Sequence, residues 1–304
     1  MNTTAKTFGG KRSAFSLVEL LVVLGIIAVM LALIVPAVQR VREMANRVHC
    51  ANNLRQIGLA LQQFHDAERA FPAGVSSLGG GTSRTPFMGW QVRILPYIEQ
   101  TSLWRQADAA YKQSPWPFND PPHSGLATVV STFVCPMDGR AAHAQFAPRD
   151  RITVALTSYL GVSGTNLVSR DGLLFLDSRI RIADVVDGTS QTLLVGERPA
   201  SPDNQFGWWY AGRGQASTGS CDMVLGVQEI NVLSTAIAPC PRGGYGFGPG
   251  ELWDPCAMFH FWSLHPSGGH FLFVDGSVRM VNYSASAIVP SLATRGGQEV
   301  ITLE

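Results

Sequence analysis

Lysine is almost missing from this 304-residue chain, standing only at Lys6, Lys11 and Lys112, while arginine carries the remaining positive charge. Three of the 23 basic residues (Lys6, Lys11, Arg12) precede position 15, which leaves 20 against 22 acidic ones beyond it. So balanced a chain lacks the basic patch that nucleic acid requires, and no nucleic-acid partner is expected. No Cys-x-x-Cys pair occurs among Cys50, Cys135, Cys221, Cys240 and Cys256, which argues against a zinc ribbon or a thioredoxin-type site. There is no Gly-x-Ser-x-Gly elbow, no nucleotide-binding glycine pattern, no dense run of oxygen ligands and no internal repeat. Scattered serine, histidine and aspartate are unavoidable at this length, so no catalytic residue is assigned and the chain is not expected to be an enzyme.

One long apolar segment is present. Leu20 to Val38 is a 19-residue run without a charge. As a helix it matches a hydrocarbon core ~30 Å thick. Glu19 stands at its edge, where an unpaired buried charge would cost at least ~2.5 kcal/mol. Residues 1–14 hold basic residues and no acid, which keeps the N-terminus cytoplasmic and places the rest outside. An ordinary secretory signal has a shorter apolar core followed by an Ala-x-Ala-like site. Here the pattern instead continues as helix through Val38, Val41, Ala45 and Val48, then Leu54, Ile57, Leu61 and Phe64. Phe71-Pro72-Ala73-Gly74 breaks it, so one helix is predicted from about Phe15 to about Glu68. Pro36 is expected to kink it, and Asn52-Asn53 to mark an irregularity between its halves.

Glycine (31) and proline (18) point to a loop-rich, strand-containing remainder. Residues 74–86 read as a flexible loop, Trp90 to Ala109 as an amphipathic helix interrupted by Pro96, and residues 113–125 as proline-rich loop. Val129 to Pro136 looks strand-like at its end. Ser158–Val162, Gly172–Leu176 and Gln191–Glu197 read as strands, with a helical turn over Ile182–Ser190. Residues 200–256 lack periodicity and read as a surface insertion held by a disulfide. His270–Val274 and Ser277–Asn282 flank Asp275-Gly276, a hairpin signal whose type I′ turn needs positive φ twice. The fold class is α+β.

The stretch Ala14-Phe15-Ser16-Leu17-Val18-Glu19-Leu20-Leu21, after Lys11-Arg12, resembles the class III signal of type IV prepilins and type II secretion pseudopilins. That resemblance implies a prepilin peptidase cut between Ala14 and Phe15, where the family usually has Gly before the cut. It implies methylation of Phe15, a Pro late in the helix (Pro36), and a Glu19 carboxylate that pairs with the terminal amine of a neighbouring subunit. At the other end, His265, nine residues, then Asp275-Gly276 resembles the motif of a prepilin-processing-associated C-terminal domain. Cys50-Ala51-Asn52-Asn53-Leu54-Arg55-Gln56-Ile57, Leu95-Pro96-Tyr97-Ile98-Glu99-Gln100, Phe133-Val134-Cys135-Pro136-Met137-Asp138 and Asp187-Gly188-Thr189-Ser190 are similar to the same large pseudopilin-like family of unknown molecular function. The implied organisation is a leader over 1–14, a long pilin-like helix over 15–70 with its first half transmembrane, and an exported domain over 71–304. A mainly antiparallel sheet would carry the helix's second half. Location would be a single pass of the cytoplasmic membrane with a periplasmic or extracellular domain, and partners would be the peptidase and other pilin-like subunits.

In an oxidising compartment the cysteines are disulfide candidates, preferably Cys50 with Cys135 and two of Cys221, Cys240 and Cys256, leaving one thiol over. His265, His270 and Asp275, with Asp187 or Glu197, are candidate metal ligands. The preferred reading has His265 hydrogen-bonding backbone near the Asp275-Gly276 turn instead, with His270 on a strand face that need not meet it. Major pseudopilins hold Ca²⁺ in a C-terminal loop, for which Asp138, Asp187 and Asp275 are weak candidates, and no cofactor is assigned. Trp208-Trp209-Tyr210, Trp253, Phe259, Phe261 and Trp262 are either core or an exposed stacking face. The leading function is a pseudopilin-like structural subunit. The alternative is a membrane-tethered glycan- or protein-binding protein, or a hydrolase, that uses the helix only as anchor.

Overall fold

A computed structural model of the chain describes residues 17–79 and 84–297. Ala14 and Phe15 therefore lie outside the described residues. The chain falls into two units, residues 1–45 and 46–304, so the second half of the long helix belongs with the domain that follows it.

In the first unit, helix α1 (Leu17–Glu68) begins. From Leu17 to Arg42 all its side chains are exposed, and nearly all are apolar up to Val38. A helix apolar on every face needs a non-aqueous or protein surround, and this one is long and apolar enough to cross a membrane. Pro36 lies within the helix, which continues on both sides of it. Glu19 occupies the first turn.

In the second unit, α1 becomes one-sided. Cys50, Ala51, Asn53, Leu54, Ile57, Gly58, Ala60 and Leu61 are buried, at the three- and four-residue spacing of a single helix face. No irregularity occurs at Asn52-Asn53. Asn53 is instead a buried anchor, its Nδ2 donating to Val134 O at 2.9 Å. Gly58 lets the helix approach the sheet: a Cβ there would sit 2.7 Å from Leu272 Cδ1. The helix ends where Arg69 turns left-handed (φ 61°) and its N–H bonds back to His65 O.

Helices α2 (Trp90–Arg93) and α3 (Thr101–Gln113) are separated by a 3₁₀ turn, Leu95–Ile98, that Pro96 starts and left-handed Glu99 ends. The predicted single helix is thus three pieces. Strands β1 (Gln145–Ala147) and β2 (Ile152–Val154) form a small hairpin. The main sheet is built from β3 (Tyr159–Gly164), β4 (Leu193–Glu197), β5 (Val224–Gly226), β8 (Gly268–Phe273) and β9 (Val278–Asn282), in the order β5-β3-β4-β8-β9. All its pairings are antiparallel except β3 with β5. A second small hairpin joins β6 (Gln228–Ile230) to β7 (Gly244–Gly246), and α4 (Val289–Ala293) follows the sheet. The protein is therefore α+β, a long N-terminal apolar helix with a mainly antiparallel sheet domain.

Strands β3, β4 and β8 are buried along their whole length, which is why they read as unbroken apolar runs. Alternate residues feed two cores. Leu272, Leu194 and Tyr159 join α1 on one face, whereas Phe271, Phe273, Leu193 and Leu160 join Phe259, Phe261 and Leu292 on the other.

Several expectations need correcting. Val129–Pro136 holds a 3₁₀ turn, Ser131–Phe133, and no strand. Gly172–Leu176 is a partly buried irregular segment that contributes only a bridge, Val75 to Leu176. Residues 200–256 are no surface insertion: they supply edge strand β5 and the buried Trp208, Trp209 and Tyr210. Phe259, Phe261 and Trp262 are buried as well, so these candidate aromatic residues form no exposed face, and of them Trp253 alone (76%) is open to solvent. At the β8–β9 turn, Gly276 alone has positive φ (85°), with its N–H bonded to Phe273 O. That geometry is a turn followed by a left-handed glycine, not type I′.

Candidate functional site

Glu197 ends β4, where an apolar strand arrives at a single carboxylate. It faces the α1 side of the sheet, 2% exposed. His270 lies on the neighbouring strand β8, on the face opposite Phe271, which is also the α1 side. Its backbone N–H donates to Glu197 Oε2 at 2.7 Å, and its Nδ1 lies 3.2 Å and 3.3 Å from the two carboxylate oxygens. His265 comes from the loop ahead of β8. Its N–H donates to Ser263 Oγ at 2.9 Å, and Ser263 Oγ–H in turn donates to Gly268 O at 3.0 Å, so the loop is fixed by its own serine. The His265 ring is completely buried and perpendicular to that of His270, with centroids 5.3 Å apart. Its Nε2 lies 3.6 Å from Glu197 Oε1, beyond hydrogen-bond length but within ion-pair reach.

The two histidines therefore do meet, on Glu197. His265 bonds no backbone near Asp275-Gly276: both its ring nitrogens lack a hydrogen-bond partner among the described residues. Burial pushes the Glu197 carboxyl up, but the two imidazoles beside it outweigh burial and hold it down at about 2. The carboxylate thus stays ionised inside the protein.

Beside this trio lies the disulfide between Cys50 of α1 and Cys135. Tyr159 of β3 closes the group. Its hydroxyl donates to Cys50 O at 3.4 Å and accepts from Asn53 Nδ2 at 3.4 Å, while Cys135 N–H donates to Ser158 Oγ at 2.9 Å. Burial, aided by the Glu197 charge and opposed by Asn53, raises the Tyr159 hydroxyl well above its ordinary range, so it remains a neutral donor. One donor atom each from Cys50, Cys135, Glu197 and His265 all lie within 4.8 Å of one another.

The remaining candidate ligands are elsewhere. Asp275 accepts the Ser277 N–H within its own turn, and its Oδ2 lies 3.8 Å from Arg279. Asp187 accepts from Thr294 and from the Gly297 N–H. Asp138 is buried against Arg140, 2.9 Å between Oδ2 and Nη2. The three aspartates share no site, and the loop geometry assembles no calcium ligand set from them. The later cysteines form a second disulfide, Cys240–Cys256, and Cys221 is free and buried. Burial pushes the Cys221 thiol far up, assisted by Glu229, so it is protonated and inert.

Reading the sequence alone did not find Asn53 or Tyr159 as part of this cluster. Neither carries a local signal beyond sitting in a predicted helix or strand. Arg198 and Asp222, both buried, were missed as well, because they stand outside every predicted helix and strand.

A family model described as Prokaryotic N-terminal methylation motif matches residues 10–35. That motif marks the chain as a processed, pilin-type protein. No curated protein and no solved structure matches the chain. A second family model, described as Protein of unknown function (DUF1559), matches residues 39–287, which take in Cys50, Cys135, Glu197, His265 and every strand of the sheet. With most of its length covered in this way, the chain belongs to the DUF1559 family.

Proposed function

We propose that the chain is a pseudopilin-like structural subunit, cut before Phe15 and assembled through its N-terminal helix in a type II secretion or type IV pilus-like system. One observation carries this reading: the methylation-motif match at 10–35 includes, from Leu17 on, a helix segment that is exposed and almost wholly apolar on every face. Such a segment is stable within a bilayer or among like helices, and leaves one for the other without changing fold. Glu19 then sets axial register. In a bundle of low dielectric constant, its carboxylate is tolerated when it faces the methylated amine of the next subunit. The cytoplasmic end is the basic one, so the domain faces the periplasm or exterior. Prepilin peptidase and other pilin-like subunits are the partners.

Glu19→Ala should leave the protein exported and stable while abolishing its incorporation into filaments. Mass spectrometry of mature protein should find N-methyl-Phe15. An intact Met1, or Glu19→Ala protein still co-purifying with filaments, overturns the reading. The second reading, a tethered binding protein, is favoured by one cavity of about 200 Å³ walled by Arg149, Trp208, Arg213 and Asp222. Under it, Glu19→Ala changes nothing once the protein is in the membrane.

A further inference from the structure

Among the described residues neither ring nitrogen of the buried His265 has a hydrogen-bond partner, and a fully buried polar ring left in that state is costly. Its surroundings are two sulfurs and a carboxylate, and the four donor atoms lie mutually within 4.8 Å. Two thiolates, one imidazole and one carboxylate oxygen make the S₂NO set that suits tetrahedral zinc. The second shell is already in place. Glu197 Oε2 accepts the His270 N–H, and Oε1, which His270 Nδ1 also approaches at 3.2 Å, is the oxygen 3.6 Å from His265 Nε2. Asn53 and Tyr159 hold the backbone on either side of the cysteines, and Ser158 Oγ accepts the Cys135 N–H.

We infer that Cys50, Cys135, Glu197 and His265 form a closed zinc site when the two cysteines are thiols, and that the Cys50–Cys135 disulfide is the alternative state of that site. Binding replaces two thiol protons with one Zn²⁺, and the protons leave to solvent. Oxidation reverses it. The two thiolates join as the disulfide and hand two electrons to a disulfide oxidant, which takes up two protons and departs as a dithiol, and Zn²⁺ is released. Both states cross-link the same places, α1 to the loop carrying Cys135. Only the zinc state also captures β4 through Glu197 and the loop ahead of β8 through His265. All four side chains are buried, so zinc is taken up by the folding chain before the sheet closes. On this account His265, the first residue of the His-x₉-Asp-Gly pattern, is there for its free nitrogen, and Asp275-Gly276 only for the turn.

The full-length chain in detergent, unfolded and refolded with a phosphine reductant and excess Zn²⁺ or Co²⁺, tests this. About one equivalent of metal per chain should survive gel filtration. The cobalt form should show tetrahedral d–d bands with thiolate charge-transfer absorption. Refolding under oxidising conditions should leave less than about a tenth of an equivalent, with Cys50 and Cys135 joined. Glu197→Gln and His265→Asn should each weaken retention at least about tenfold, and His270→Gln by about 10–100-fold through the second shell. Cys221→Ser should change nothing. The inference fails if the reduced chain holds no metal, if His265→Asn keeps a full equivalent with the same cobalt spectrum, or if Cys221→Ser loses it. Should the ligand variants not fold, the cobalt spectrum of the Cys240→Ser/Cys256→Ser double variant decides: with the other adjacent pair removed, two-thiolate bands must come from Cys50 and Cys135, and their absence overturns the inference.

Discussion

Asp222 sits deep in the domain, 3% exposed, accepting N–H groups from Gly207 at 3.2 Å and Gly214 at 2.6 Å. Burial drives its carboxyl up to about 7, against the pull of those two donors and of Arg198. Arg198 is itself wholly buried, and desolvation brings its guanidinium down to about 10 despite the neighbouring Cys221 and Asp222. Its Nη1 donates to Pro199 O at 2.9 Å and its Nη2 to Cys221 O. A raised carboxyl binds its proton more tightly folded than unfolded. Its contribution to stability is therefore complete below the ordinary value of 3.8 and is lost as pH climbs towards 7. At about 1.4 kcal/mol per unit, the loss is on the order of a few kcal/mol at most. Urea midpoints should fall between about pH 4 and about pH 7, and Asp222→Asn should flatten that slope. An unchanged slope in the variant would assign the effect to another group. None of this was visible in Cys221-Asp222-Met223, which lies in a stretch without periodicity. Its environment is made by Arg198 and Gly207, which only the folded chain brings near.

Among the elements, β4 and β8 are in register at Gly196, which pairs with Phe271. A Cβ at Gly196 would lie 2.5 Å from Phe271 Cε1 and 2.7 Å from Phe261 Cδ1. Gly196→Ala should therefore cost about 1–3 kcal/mol through overpacking, read as a lowered denaturant midpoint at unchanged m-value. The strands themselves were legible. Leu193–Glu197 and Gly268–Phe273 are apolar because both faces are covered, and Tyr159–Gly164 likewise. The misreadings at 129–136 and 172–176 share a cause. Both runs are largely apolar and partly buried, but the Leu173 and Leu174 N–H groups both go to Val162 O of β3, and Phe133 N–H closes a turn on Val130 O. Apolar content reports burial, and a strand also requires a partner in register. His270 shows the same limit: its strand face follows from alternation, whereas its meeting with His265 depends on where a loop returns.

At the scale of the whole molecule, two covalent cross-links differ in what they enclose. Cys50–Cys135 spans 85 positions and Cys240–Cys256 only 16. By the chain-entropy relation they should contribute about 4–5 and about 3 kcal/mol, respectively. In the presence of a chelator, the double Ser variant of the first pair should lose more stability than that of the second. Equal losses would show that native-state packing, not loop closure, sets their worth. The long helix, its change from all-round apolar to one-sided, and the α+β class were readable because periodicity is local. The arrangement of β5 beside β3 was not, since nothing in residues 200–256 announces a parallel edge strand.

Glu197 and His270 are 73 residues apart, with the disulfide-forming cysteines both upstream of them. At about 5–20 residues per second of synthesis, roughly 4–15 s pass between the appearance of the carboxylate and that of its nearest imidazole. Within that interval Cys221, Cys240 and Cys256 join Cys50 and Cys135, before the sheet that separates them in the folded domain is complete. The distance between two strands in sequence thus becomes a clock. Which sulfurs meet first is decided by the order of arrival at least as much as by the closed domain they end in.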